Sequence, residues 1–118
     1  MQISTLTSGD VVDADLGIPA GREAGSRRPA VLVTAQGLLD GEPTVVHVAP
    51  ITSAVRHLGT EVRVEADAFN GLERRSAVQC QHVRSIATAR LAGRRGHIGP
   101  VALRQIREVL GRILDIPE

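Results

Sequence analysis

The chain has 118 residues, a formal net charge of +1 and 42% hydrophobic residues, the size and make-up of one small globular domain spanning residues 1–118. This excludes a wholly disordered chain, and no apolar run approaches the roughly 20 residues that a membrane helix requires. With one aromatic residue, Phe69, and no Tyr or Trp, a nucleic-acid platform of stacked aromatic rings is excluded as well.

The charge is unevenly spread. All 14 basic residues are Arg; residues 1–59 hold four of them against six acids, and residues 60–118 hold ten against seven. Guanidinium is a planar fork that suits phosphate and can stack on bases. The single Cys80 has no intramolecular disulfide partner, agrees with a reducing compartment and reads as a small buried hydrophobe. The start of the chain, Met1 to Gly9, is polar and lacks a signal-peptide core, so a cytoplasmic location is expected.

In chain order, Asp10–Leu16 carries Val11 and Val12 and predicts a first strand. A loop rich in Gly, Ala and Arg follows, residues 17–28. Pro29 then opens the apolar run Ala30–Val33, read as a buried strand. Asp40-Gly41 marks a turn. Thr44–Ala49 predicts a third strand that Pro50 ends, and Thr60–Ala66 a fourth, with Val62 and Val64 inward and Glu61, Arg63 and Glu65 outward. After a turn at Phe69-Asn70-Gly71, Ser76–Ile86 reads as one longer β segment, and Gly93–Ile98 as a short final strand. Gly99-Pro100 starts a terminal helix, with an apolar stripe through Ala102, Leu103, Ile106, Val109, Leu110 and Ile113, stopped by Pro117. Short antiparallel strands followed by one helix predict a mainly β, α+β fold: a compact barrel with the helix packed on one side.

The sequence offers no metal-site pattern, no nucleophile elbow and no phosphate-binding Walker loop; His47, His57, His82 and His97 are scattered. Neither a metal nor any other cofactor is expected. Three polar stretches border strands. Residues 21–29, GREAGSRRP, put one carboxylate, Glu23, and the pair Arg27-Arg28 beside a proline that fixes the strand entrance. In residues 49–53, APITS, adjacent hydroxyls follow a strand end, where they could donate to a phosphate oxygen or cap a turn. In residues 81–86, QHVRSI, Arg84 alternates with apolar neighbours and faces either a ligand or solvent.

Together, the stretches GDVVDADL (9–16), GSRRPAVLV (25–33), HVAPITS (47–53) and VRSI (83–86), with the Gly99-Pro100 helix start, resemble the MazF family of toxins, also called PemK or Kid toxins. The resemblance covers nearly the whole chain. The chain departs from the family pattern in the loop Gly21-Arg22-Glu23-Ala24 and at Gln81-His82. The resemblance implies a small β-barrel of the Src-homology-3 type with helices, and a homodimer that binds RNA at its interface groove. It implies metal-independent, sequence-specific cleavage of single-stranded RNA, and inhibition by a MazE-like antitoxin with a disordered acidic segment. Carried over position by position, the catalytic set is Arg28, Thr52 and Glu23, with Arg27, Ser53, His57 and Arg84 as further RNA-contacting residues. The expected reaction is attack by the RNA's own 2′-hydroxyl. Two rivals remain at this stage. One is a toxin of the same fold that binds a protein such as DNA gyrase, as CcdB toxins do, and for which Arg28 and Thr52 together have no purpose. The other is a ribonuclease that uses His57 and His82 as acid and base.

Overall fold

The computed structural model describes residues 5–18, 21 and 26–117. It contains strands β1 (Asp10–Asp15), β2 (Arg27–Leu32), β3 (Val45–Thr52), β4 (Glu61–Val64), β5 (Ser76–Gln79), β6 (Arg84–Ala87) and β7 (Leu91–His97), with a one-turn helix α1 (Gln36–Leu39) and the terminal helix α2 (Pro100–Ile113). All strand pairs are antiparallel, in the order β4-β5-β3-β2-β1-β7, with β6 also on β3. The mainly β fold with a C-terminal helix is the one expected from the sequence.

Both faces of the central strands are buried, so neighbouring apolar residues point to opposite cores. On one face Val12, Ala30, Leu32, Val46 and Val48 pack with Leu39, Ile86 and Leu91. On the other, Val11, Val31, Ala49 and Ile51 pack with Val62, Val78 and the underside of α2. The predicted stripe of α2 supplies Leu103, Ile106 and Val109, all buried, each worth about 1.5–3 kcal/mol of apolar burial. Ile113, predicted to join it, is 38% exposed at the helix end. The opening Gly9-Asp10 pair is structural: the Asp10 carboxylate is fully buried, accepts a hydrogen bond from the Thr7 amide at 2.8 Å and pairs with Arg94 at 2.9 Å.

Three local expectations are corrected, and one short helix was not foreseen. Pro50 does not end β3; the strand continues to Thr52. Pro50 lies opposite Ala30 at the last β2 pairing, and from Ile51 onward β3 pairs with β5. A residue without an N–H fits the point where a strand changes partner. Ser76–Ile86 is not one strand. Four residues of β3, Val48 to Ile51, face seven on the partner, Val78 to Arg84; the excess forms a 3₁₀ turn at Cys80–His82 between β5 and β6. Glu61 does not point outward with Arg63. Its side chain is buried beneath the preceding loop, where it accepts from the Arg56 amide at 3.4 Å and faces the Arg56 guanidinium at 3.8 Å. Ahead of the Asp40-Gly41 turn the chain forms α1, tied to the N-terminal segment by Gln36, which accepts from the Ser8 amide at 2.9 Å.

Among the described residues no helix is long and apolar enough to cross a membrane. Cys80 is buried, and that burial pushes its thiol pKa up to about 11.

Candidate active site

The bend in β3 creates the site. Because β3 leaves β2 at Pro50, the start of β2 and the end of β3 diverge and leave a cleft of about 430 Å³ between them. Arg27, Arg28 and Pro29 line it from β2, and Ile51, Thr52 and Ser53 from β3. The segment before β5 adds Leu72, Glu73 and Arg74, β5 itself adds Ser76, and β7 adds Arg95. Thus four of the residues singled out in the sequence, Arg27, Arg28, Thr52 and Ser53, meet at one opening although about 25 positions separate the two pairs.

Pro29 sits opposite Asp13 in the β1–β2 register, which fixes where Arg28 leaves the sheet. The Arg28 guanidinium then meets Gln79, a buried residue at the end of β5, donating from Nη1 to Oε1 at 3.5 Å. Thr52 Oγ1 accepts a hydrogen bond from the Ala54 amide at 3.1 Å. That contact occupies an acceptor site of the oxygen and leaves the hydroxyl proton available to donate into the cleft. Arg95 is braced by Asp13, whose carboxylate it meets at 2.8 Å, and by the Gly71 carbonyl at 3.4 Å.

Guanidiniums outnumber carboxylates on the cleft wall, although Asp13 offsets Arg95. Arg27, Arg28, Arg74 and Arg95 line it, and Glu73 is the single carboxylate on its wall among the described residues. Guanidiniums crowded at an open, solvent-filled cleft attract a polyanion and can grip phosphate oxygens in pairs. A hydroxyl donor beside them adds a short hydrogen bond to the same group.

The other sequence candidates lie elsewhere. His57, on the loop after β3, does not line the cleft; its Nδ1 lies 3.1 Å from Arg63 Nη1. Arg84 is directed away, donating from Nη1 to the Leu16 carbonyl at 3.0 Å and so tying β6 to the end of β1. His82 lies in the 3₁₀ turn, and Gln81 beside it has a buried Oε1 without a hydrogen-bond partner among the described residues. Glu23 lies outside the described residues. Among those that are described, no three or more His, Cys, Asp or Glu side chains are grouped to hold a metal ion.

Sequence reasoning missed Gln79, Glu73, Arg74 and Arg95. Gln79 left a faint signal, an amide inside the otherwise apolar run Ala77-Val78-Gln79-Cys80. The other three carry no local signal, since only the tertiary fold brings them to the cleft.

Comparison with known proteins identifies the family. Residues 7–114 match the family model described as "PemK-like, MazF-like toxin of type II toxin-antitoxin system". The chain is 35% identical to endoribonuclease MazF3 of Mycobacterium tuberculosis over 75% of this chain and 84% of that protein. It is 32% identical to endoribonuclease MazF9 of the same organism over 94% and 98% respectively. The crystal structure of MazF from Deinococcus radiodurans superposes with a TM-score of 0.79 at 26% identity, covering 92% of this chain and 96% of that one. MazE–MazF from that organism shares the fold with a TM-score of 0.71 at 22% identity, over 93% and 95%. The chain belongs to the PemK-like, MazF-like toxins of type II toxin–antitoxin systems, whose curated members similar to it are endoribonucleases.

Proposed function

We propose that this chain cleaves single-stranded RNA without a metal ion, in the cleft between β2 and β3. The observation that carries the reading is the meeting of Arg28 and Thr52 on one electropositive opening. In the reaction, the 2′-oxygen of one nucleotide bonds to the adjacent phosphorus, and the bond from phosphorus to the 5′-oxygen of the next nucleotide breaks. The leaving 5′-oxygen takes up a proton from water, and the products are a 2′,3′-cyclic phosphate and a 5′-hydroxyl. The protein forms no covalent bond, so its contribution is positioning and charge stabilisation.

Arg28 holds the nonbridging oxygens as negative charge builds on them, and Thr52 donates to the same phosphate. Ser53 and Arg27 steady the neighbouring backbone. Guanidinium stays protonated at neutral pH, so Arg28 is no base; Glu23 is the proposed acceptor of the 2′-hydroxyl proton. His57 and Arg84 join the RNA path only if it extends beyond the cleft. Two copies of the chain form a groove with two-fold symmetry, and a cognate antitoxin with an acidic segment competes with RNA for its guanidiniums. MazE–MazF from Deinococcus radiodurans supports a partner of this kind. Location in the cytoplasm, where RNA and a reducing environment coincide, completes the proposal.

The test is to incubate the purified protein with a long mixed-sequence RNA in EDTA and to map both new ends. Cutting that leaves a cyclic phosphate and a 5′-hydroxyl is expected. A strict need for Mg²⁺, or efficient cutting of all-deoxy substrate, would overturn the mechanism.

A further inference from the structure

The loop that leads to Glu73 and Arg74 is held by a set of specific contacts. Asn70, which is 1% exposed, organises it. Its side-chain oxygen accepts from the amides of Asp67 at 3.2 Å and Leu72 at 3.0 Å, and its amide nitrogen donates to the Glu65 carbonyl at 2.8 Å. The Asp67 carboxylate accepts from the amides of Phe69 and Asn70, each at 2.8 Å. The same loop lies tightly on β7. A side chain at Gly96 would collide with the Phe69 carbonyl, and one at Gly71, where φ is +67°, would come within 2.5 Å of the Arg95 carbonyl. Two glycines and one buried amide thus fix the path of the chain just before Glu73 and Arg74 enter the cleft.

Of the two, Arg74 adds to a positive field already supplied by three other guanidiniums. Glu73 does not; it places a negative charge where a polyanion must pass. Among the described residues no ion pair engages it, whereas nearby Asp13 is held by Arg95. A carboxylate left in a phosphate-binding cleft opposes binding unless it meets a donor on the ligand. Phosphates and sugars offer few donors beyond hydroxyls, so base edges are the source. A carboxylate only accepts, through two oxygens side by side. The Watson–Crick edge of guanine offers two adjacent donors, N1–H and N2–H, to match them. Adenine and cytosine each offer one amino donor next to a ring nitrogen that repels the carboxylate, and uracil flanks its single N–H with two carbonyls. Unstacked bases in single-stranded RNA present this edge.

We propose that Glu73 is the specificity-determining residue of the cleft and reads the Watson–Crick edge of a guanine beside the cleaved phosphate. This rests on the proposed reading of the cleft as an RNA-cleaving site. Its measurable consequence is a guanine at one position of the cleavage motif, favoured roughly ten- to a hundredfold over other bases, the range of a paired hydrogen-bond contact to a base.

The experiment maps cleavage of a long mixed-sequence RNA by the wild-type protein, Glu73→Gln and Glu73→Ala, then compares short RNAs carrying guanine or inosine at the preferred position. Inosine keeps N1–H and lacks the N2 amino group. The wild type is expected to cut the guanine RNA at least several-fold faster than the inosine RNA. Glu73→Ala is expected to cut both at one rate, with the guanine preference gone from its motif. Glu73 is exposed, so both variants should fold, which circular dichroism verifies. A Glu73→Ala profile that keeps the guanine preference, or a wild-type motif without guanine, overturns the inference and leaves the endoribonuclease reading standing. A wild-type chain that cuts no RNA overturns the reading of the cleft itself, and the inference with it.

Discussion

Replacing Arg28 by alanine separates catalysis from folding more cleanly than any other change in the cleft. Its guanidinium is placed to hold the phosphate as charge develops, and loss of one such donor lowers a chemical rate roughly 10²–10³-fold, or about 2.7–4 kcal/mol. The structural penalty is much smaller. Arg28 is partly exposed, and its contact with Gln79 Oε1 is long, at 3.5 Å. Truncation leaves that oxygen beside an open cleft that water can enter. Loss of this one contact, a weak hydrogen bond to a neutral acceptor replaced by water, costs about 1 kcal/mol, or roughly 3–6 °C in Tm for a domain of this size. Single-turnover cleavage of an end-labelled RNA and thermal melting of the same sample read the two effects separately. A hundredfold slower protein that melts within a few degrees of wild type is expected. Arg28→Ala with full activity would refute the assignment. A variant that unfolds at room temperature would show instead that the Arg28–Gln79 contact is structural.

Thr52→Ala is expected to slow cleavage about tenfold, less than loss of a full oxyanion donor, because the adjacent Ser53 hydroxyl lines the same cleft; no loss would remove Thr52 from the site. Gly96→Ala places a Cβ against the Phe69 carbonyl, which the His97 amide also holds at 2.8 Å. It should destabilise the chain by about 3 kcal/mol in urea unfolding, the upper range for overpacking, and a loss below about 1 kcal/mol would contradict the close approach. Cys80, with its thiol pushed up from 9.0 to about 11 by burial, should resist iodoacetamide at pH 8 until the protein unfolds. Folding favours the protonated thiol, so this contribution is whole below about pH 9 and is lost as pH rises towards 11. An unfolding free energy flat across that window would contradict it.

Much of this was legible in the residues, and the failures share one cause. Period-two alternation located Val62 and Val64, and period 3.6 located Leu103, Ile106 and Val109, because each pattern is set by local geometry against a core. Arg28 and Thr52, which line one cleft, stood out because each borders a strand within a short, fairly specific stretch. What stayed hidden depends on partner choice between distant strands. Pro50 reads as a terminator unless β3 is known to exchange β2 for β5 there. The break at Cys80–His82 follows from the register of β5 and β6 along β3, which no local pattern records. Glu73, Arg74 and Arg95 entered the site only when the loop built on Asn70 folded against β7. The hydrogen bond from Arg84 to the carbonyl of Leu16, just past the end of β1, joins positions 68 residues apart and likewise leaves no local trace.

The most direct test of the proposed chemistry removes one oxygen atom. In a short RNA that the protein cuts at a mapped site, the nucleotide supplying the 2′-hydroxyl is replaced by its 2′-deoxy counterpart, and cleavage is followed in EDTA. Cleavage at that bond is expected to disappear while binding, measured by competition with the all-ribo RNA, changes less than about tenfold, since a single neutral hydrogen bond is worth roughly 1 kcal/mol. Continued cutting at the deoxy position would contradict attack by the 2′-oxygen and the roles given to Arg28, Thr52 and Glu23 around it.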